Sequence, residues 1–401
     1  LLMTSFIIPK QVYAEDTNPD SYEHTITFNR PIISSKNLMD STFTHISIFD
    51  TITTGLEKGF PEIPLKPISL VIPPGKSLEN IEITFKEEQL NLQKLNIDLS
   101  QNPLKPYQGS YPIGTQIDHT EIIKNNDFYS ENSWYPDFYS KQQNIQYCKG
   151  YPIVSLTLSP IHYNPKLEKI SFCTEITVTL QFDDKPEVND YYRGTIEDIE
   201  WVKSLVDNPD FVLPSEKGND FGQGRYGGGL CDPSDNNGNG YDYVIITREV
   251  LADFSDQVYN WTDLINAKQM DGLDATLVTV EEIENCADYY NSTSLFNDTE
   301  AQIREFMRDA YQDWGLQYAL IAGDHQGGSA AIARRLMDSD AEYNVESDLY
   351  WSNLDNDFNA DQDSYWGEEN DNGFDLYSEI SIGSLPCDEP IDISNWMTKS
   401  F

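Results

Sequence analysis

Asp357, Asn359, Asp361, Asp363 and Glu368 are the side chains whose types and spacing point most directly to chemistry. They fall at positions 1, 3, 5, 7 and 12 of a calcium-type loop, with Gln362 at position 6, where glycine is favoured. Oxygen ligands at alternate positions can wrap a hard cation, and neighbouring carboxylates repel one another without it. A structural Ca²⁺ is therefore expected here, the competing expectation being a solvated acidic surface loop. A partial second match, Asp235, Asn237, Asn239 and Gly240, has Ile246 where the last acidic ligand belongs and reads as a turn.

Nucleophilic chemistry has fewer candidates. The five cysteines, Cys148, Cys173, Cys231, Cys286 and Cys387, form neither a CxxC pair nor a Cys/His zinc spacing. A Cys148–Cys173 bridge between neighbouring strands is open, against the commoner state of a buried free thiol. His325 and Cys387 each follow a short apolar run, so a thiol–imidazole pair is geometrically open if those runs are adjacent strands. Neither has a Gly-rich oxyanion turn beside it, and His325 is expected to cap or wall a cleft.

Those apolar runs, Tyr318–Ala322 and Ile380–Leu385, have the length and composition of buried strands. Two more, YDYVIIT (241–247) and ATLVTV (275–280), precede them. Helical spacing occurs at Leu251, Phe254, Val258, Trp261 and Ile265 and again over Thr299–Trp314, with a Thr299/Gln302 capping box and Gly315 as the stop. Alternating strands and helices with short connections imply a parallel, helix-flanked sheet. The closing DISNWMTKSF starts a further helical pattern of about two turns; with no partner strand after it, the sheet is expected to continue past Phe401.

Upstream, residues 25–182 alternate apolar and polar in β-branched runs such as TITF, HISIF, ENIEITF, LNIDL and KISFCTEITVTLQF. An antiparallel β-sandwich is expected. His24, His45, His119 and His162 are scattered through it and read as surface or capping residues. Residues 195–206 place Ile196, Ile199, Val202, Leu205 and Val206 on one helical face. A Gly/Asn/Asp-rich linker follows, with Lys217 and Arg225 as expected processing points.

The formal charge of −41 argues against a nucleic-acid partner, because no basic patch exists to displace counterions. The opening LLMTSFIIPKQVYAED resembles the end of a secretory leader, with Ala14 the last residue removed. No later segment is long and apolar enough to span a bilayer. A secreted, extracellular protein is expected, in which Asn260, Asn291 and Asn297 would matter only in a glycosylating host.

Taken in order, YDYVIIT, the capped helix ending in DWG, YALIAGDHQ, SDLYW, the acidic loop with WGEE, and EISIGSLP resemble the gingipain-type (family C25) cysteine peptidases. KGYPIVSLTLSPIHYNPKLEKI and VKSLVDNPDF are similar to their β-rich propeptide. Ser384 departs from the pattern, which usually carries Arg after the IG pair. The resemblance implies a leader remnant at 1–14, a propeptide at 15–190, a helix and linker at 191–240, and the first part of a caspase-like peptidase domain at 241–401. It also implies protein or peptide substrates, a propeptide acting on its own catalytic domain, and bound calcium. The family's Cys/His dyad is expected beyond residue 401, so no catalytic residue is assigned here and this polypeptide is expected to be inactive alone. The alternatives are a non-catalytic secreted binding or cell-surface module of the same fold and, for the β-rich part, an adhesion domain.

Overall fold

The computed structural model describes residues 20–400 apart from 74, 93–97, 110–120, 185–188, 214–239, 326, 339–343, 369–370 and 372–374, and apart from the side chains of 141–144. Two compact units are present, one of residues 1–143 and 155–187, the other of 144–154 and 188–401.

The first unit is built from β1 (Ser21–Thr27), β2 (Ile32–Leu38), β3 (Ser41–Ser47), β4 (Ile52–Thr54), β5 (Ile63–Val71), β6 (Ser77–Gln89), β9 (Ile161–Asn164), β10 (Lys169–Asp183) and the outer parts of the hairpin strands β7 (Ser140–Cys148) and β8 (Tyr151–Leu158). Long β10 pairs antiparallel with β1, β6 and β9, while β2 pairs with β3 and β4 with β5. Ile46, Ile63, Leu104, Ile161, Tyr163 and Phe172 share one apolar core, as period-two alternation requires. The histidine expectation fails at His162. All four residues of β9 are buried, so alternation there does not separate a wet face from a dry one. His24 and His45 are half-buried, and His119 and part of LNIDL lie outside the described residues.

The second unit holds a parallel sheet of β11 (Tyr243–Thr247), β12 (Ala275–Thr279), β13 (Tyr318–Ala322) and β16 (Ser381–Leu385), in the order β12–β11–β13–β16. A short antiparallel pair, β14 (Arg335–Met337) and β15 (Val345–Ser347), lies in the loop region between β13 and β16. Its helices are α1 (Ile196–Lys203), α2 (Trp261–Met270), α3 (Val280–Glu284), α4 (Thr299–Asp309), α5 (Leu349–Ser352) and α6 (Pro390–Ser400). Val244, Ile246, Val278 and Ile321 share one apolar cluster with Ile303, Phe306 and Met307 of α4. Ile245, Leu320, Ala322 and Leu385 share another with Trp261 and Leu264 of α2 and Ile393 and Met397 of α6. Both sheet faces are thus covered, as a parallel sheet requires.

Several local expectations are corrected. Helix α2 begins only at Trp261, because Asn260 and Asp263 close a capping box there and Val258 stays 82% exposed. Helix α4 is capped by Asp298, which accepts from the Ala301 N–H, while the Thr299 hydroxyl donates to Glu284. It runs on through a wider turn, Ala310–Trp314, to Gly315 in the left-handed region at φ +82°. Ile196 is exposed, so the buried face of α1 is Ile199 and Val202. Helix α6 extends over 11 residues and packs on the sheet.

Candidate functional site

All four strands of the parallel sheet run the same way, so Arg248, Asp324–His325 and Cys387 follow the carboxyl ends of β11, β13 and β16. Gly323 permits the exit from β13, because a Cβ there would meet the Ala330 carbonyl oxygen at 2.5 Å. The Gly323 N–H donates to the Leu385 carbonyl and the Asp324 N–H to that of Cys387, tying the two strand exits together. His325 lies between two carboxylates, Nδ1 at 3.5 Å from Asp324 and Nε2 at 3.4 Å from Glu346. Cys387 is buried, and burial reinforced by Asp392, Asp388 and Asp324 pushes its thiol up to about 12. The two residues share an edge, and burial first, acidic neighbours second, keep the thiol protonated. At Ser384, where the resemblance leads one to expect Arg, the hydroxyl donates to Asp348 at 2.7 Å and accepts from Arg334 at 3.0 Å.

Cys148 and Cys173 are free, buried thiols, each raised by desolvation, so the open bridge between them is not formed. Cys286 is also buried.

The acidic loop is held by its own backbone. Asp371 is buried, accepts from the N–H groups of Ala360, Gly367 and Glu368, and burial raises its carboxyl despite them. Asn359, fully buried, accepts from the Asp363 N–H and donates to the Asp363 carbonyl. Asp357 accepts from the Asn359 N–H. Gln362, at the position that favours glycine, takes φ +60°. Carboxylate oxygens of Asp361, Asp363 and Glu368 come within 4.8 Å of one another, a hard-oxygen set of the type that suits Ca²⁺. Of the five residues singled out by spacing, these three converge, while Asn359 is committed to the loop. Asp371 was missed because it lies past the twelve-residue frame.

A further buried polar cluster carried no motif. Lys149 (φ +53°) and Gly150 (φ +75°) form the two-residue turn between β7 and β8. A Cβ on Gly150 would meet the Tyr192 backbone at 2.4 Å. The Tyr147 N–H donates to Asp375 at 2.6 Å and the Lys149 N–H to Glu379 at 3.2 Å. The Lys149 ammonium donates to the Glu379 carbonyl and lies 3.7 Å from Asp198. Arg193 grips Asp198 with two bonds of 2.8 and 2.6 Å and lies over the Tyr311 ring. Burial pushes Asp375 up to about 7, raises Glu379 well above the usual carboxylate range, and lowers Lys149. The only sequence signal was a charge beside an apolar run, at KGYPIV and EISIG. Ala14, Lys217 and Arg225 lie outside the described residues, as does the partial loop match at 235–239.

The family model Propeptide_C25 matches residues 24–205, and that of Peptidase family C25 matches residues 236–401. The chain belongs to peptidase family C25. It is a gingipain-type cysteine peptidase precursor, and the turn at Lys149 lies in the propeptide match while Asp375 and Glu379 lie in the peptidase match. Two solved structures are similar to this C25 chain. One concerns the zymogenic latency of gingipain K from Porphyromonas gingivalis, at 20% identity over 41% of this chain and 87% of that one, with a TM-score of 0.36. The other is the complex of Porphyromonas gingivalis RgpB pro- and mature domains, at 14% identity over 48% and 94%, with a TM-score of 0.37. No curated protein matches the chain.

Proposed function

We propose that this chain is the latent part of a secreted cysteine endopeptidase, its leader ending at Ala14, its propeptide a β-sandwich and its catalytic fold caspase-like. In this reading a Cys/His dyad following Phe401 supplies the chemistry. The thiolate adds to a peptide carbonyl, the amine leaves with the proton taken up by the imidazole, and water hydrolyses the acyl-enzyme. Cleavage at Lys217 or Arg225 starts activation. The observation that supports latency is the burial of Cys148–Gly150, which lie in the propeptide match, beside Glu379, which lies in the peptidase match, with Asp375 accepting from the Tyr147 N–H. Ca²⁺ at Asp361, Asp363 and Glu368 stiffens the loop before β16.

The raised thiols of Cys148, Cys173 and Cys387 favour a dyad elsewhere, but they equally suit a secreted binding module of the same fold that has none. The two readings part when the full-length precursor is incubated with a peptide library. Thiol-sensitive hydrolysis should appear in step with cleavage at 217–225, while the 401-residue chain alone hydrolyses nothing. Full-length protein without thiol-sensitive hydrolysis before or after processing would leave the binding module.

A further inference from the structure

Asp375 and Glu379 each join the two family matches, one oxygen turned to either side. Asp375 Oδ2 accepts from the Tyr147 N–H at 2.6 Å and Oδ1 from the Tyr377 N–H at 2.9 Å. Glu379 Oε1 accepts from the Lys149 N–H at 3.2 Å and Oε2 from the Leu354 N–H at 2.8 Å. Tyr147 and Lys149 lie in the propeptide match, while Leu354, Asp375, Tyr377 and Glu379 lie in the peptidase match. All six residues belong to the second compact unit. Glu379 is fully buried and Asp375 is 9% exposed.

Backbone donors satisfy a neutral carboxyl but only partly offset the desolvation of an ionised one. Facing the pair are Cys148 and Lys149 from the β7–β8 turn, Arg193 and Asp198 at α1, Tyr311 after α4 and Asp355 after α5. Arg193 is engaged by Asp198, and the Lys149 ammonium by the Glu379 carbonyl and Asp198. Ionising Asp375 and Glu379 therefore adds buried negative charge beside Asp355. Burial raises Asp375 to about 7 and Glu379 well above its ordinary value, and Asp355, also raised, acts in the same sense. Cys148 and Tyr311 are raised and stay protonated below neutrality. Lys149 is lowered by burial and acts in the opposite sense between its lowered and ordinary values.

We propose that Asp375 and Glu379 form a proton-operated latch: after a cut within 214–239 the propeptide match stays bound while both carboxyls hold their protons, and comes away as they ionise. The latch rests on the latency reading for the cut itself and adds what times the release. Separation returns both carboxyls to solvent, where they ionise at lower pH, so release gives up protons and is favoured as pH rises. The grip is strongest in the acid range and weakens towards neutrality, the share of Asp375 being spent by about 7. The bonds from Arg193 to the Tyr311 and Leu316 carbonyls have no titrating partner and hold throughout this range.

The test uses the whole chain with the recognition sequence of a site-specific protease in place of residues 218–224. The chain is cut in solution and followed by analytical ultracentrifugation from pH 5 to 7 in about 0.5 M NaCl, which screens surface charge. The dissociation constant of the two pieces is expected to rise with pH, by up to about 10-fold per pH unit for each carboxyl. Asp375→Asn and Glu379→Gln weaken the contact at every pH, because an amide nitrogen cannot accept from the N–H it faces, so the readout is the slope. Each variant removes up to about 10-fold per pH unit from it, and either one suffices if the other fails to assemble. Far-UV circular dichroism of the uncut chain over the same range separates release from unfolding. Pieces that stay together or apart at every pH, that separate on acidification, or that keep the wild-type slope in both variants would overturn the latch, as would unfolding of the uncut chain. An added protease asks nothing of the dyad, so the latch can fail while the peptidase reading stands, and the reverse.

Discussion

The second unit contains two carboxylate groups of similar composition and opposite circumstance. Asp361, Asp363 and Glu368 converge on the surface, the two aspartates exposed and the glutamate half-buried. Asp355, Asp375 and Glu379 converge inside, where burial raises every one of them. Ligand type is therefore a poor guide to role. Solvent makes the first set available to a cation, whereas exclusion of solvent makes the second a set of acceptors for backbone N–H groups and a counterweight to Lys149 and Arg193.

The contrast can be broken most forcefully at Glu379. It accepts from the Leu354 and Lys149 N–H groups, and truncation leaves both without a partner beside a buried ammonium. Glu379→Ala is expected to cost about 2–5 kcal/mol in chemical denaturation, about 1–3 kcal/mol for each donor left unsatisfied. A cost under about 1 kcal/mol would show that water takes over the vacated acceptors and that the interior set is not truly dry.

Protons sharpen the comparison next. Asp375 is raised from 3.8 to about 7, so between these values the unfolded chain ionises first and unfolding is favoured. Stability contributed at this residue is therefore highest at acid pH, falls as pH rises towards 7, and is level above it, by up to about 4 kcal/mol. Self-repulsion of a chain of net charge −41 runs in the same direction, so the readout is the difference between wild type and Asp375→Asn. The variant should lose the share of the slope between pH 4.5 and 7.5 that Asp375 contributes, Asp355 and Glu379 keeping theirs, and parallel profiles would exclude Asp375 as a source.

Calcium tests the exposed set. If Asp361, Asp363 and Glu368 bind it, saturating Ca²⁺ stabilises the wild type by about 2.7 kcal/mol at a hundred times the dissociation constant. Asp361→Asn/Asp363→Asn abolishes that gain, and without the ion it moves stability by no more than about 0.5 kcal/mol. A thermal shift that survives the double substitution would place the ion elsewhere.

The four strands of the parallel sheet were legible because short apolar runs bounded by Gly or polar turns have few other uses. Helix α2 was placed ten residues early because Leu251, Phe254 and Val258 share the spacing of a helix, although a capping residue at Asn260 overrides them. Of the five loop residues, Asp361, Asp363 and Glu368 bring carboxylate oxygens within 4.8 Å of one another. The buried cluster was invisible for a different reason. Lys149 and Glu379 lie 230 residues apart, and no local period records that a charged turn will be buried against so distant a partner. His162 was misread because β9 is covered on both sides, which erases the alternation that would have marked it.

The turn at Lys149–Gly150 has one more implication. Residues 144–154 and 188–213 sit in the same compact unit as residues beyond 239, held there by hydrogen bonds in addition to the peptide chain. Scission anywhere in 214–239 would nick the backbone and leave those bonds in place. Cutting and letting go are then separate events with separate rates, and the slower of the two would time the appearance of the mature protein.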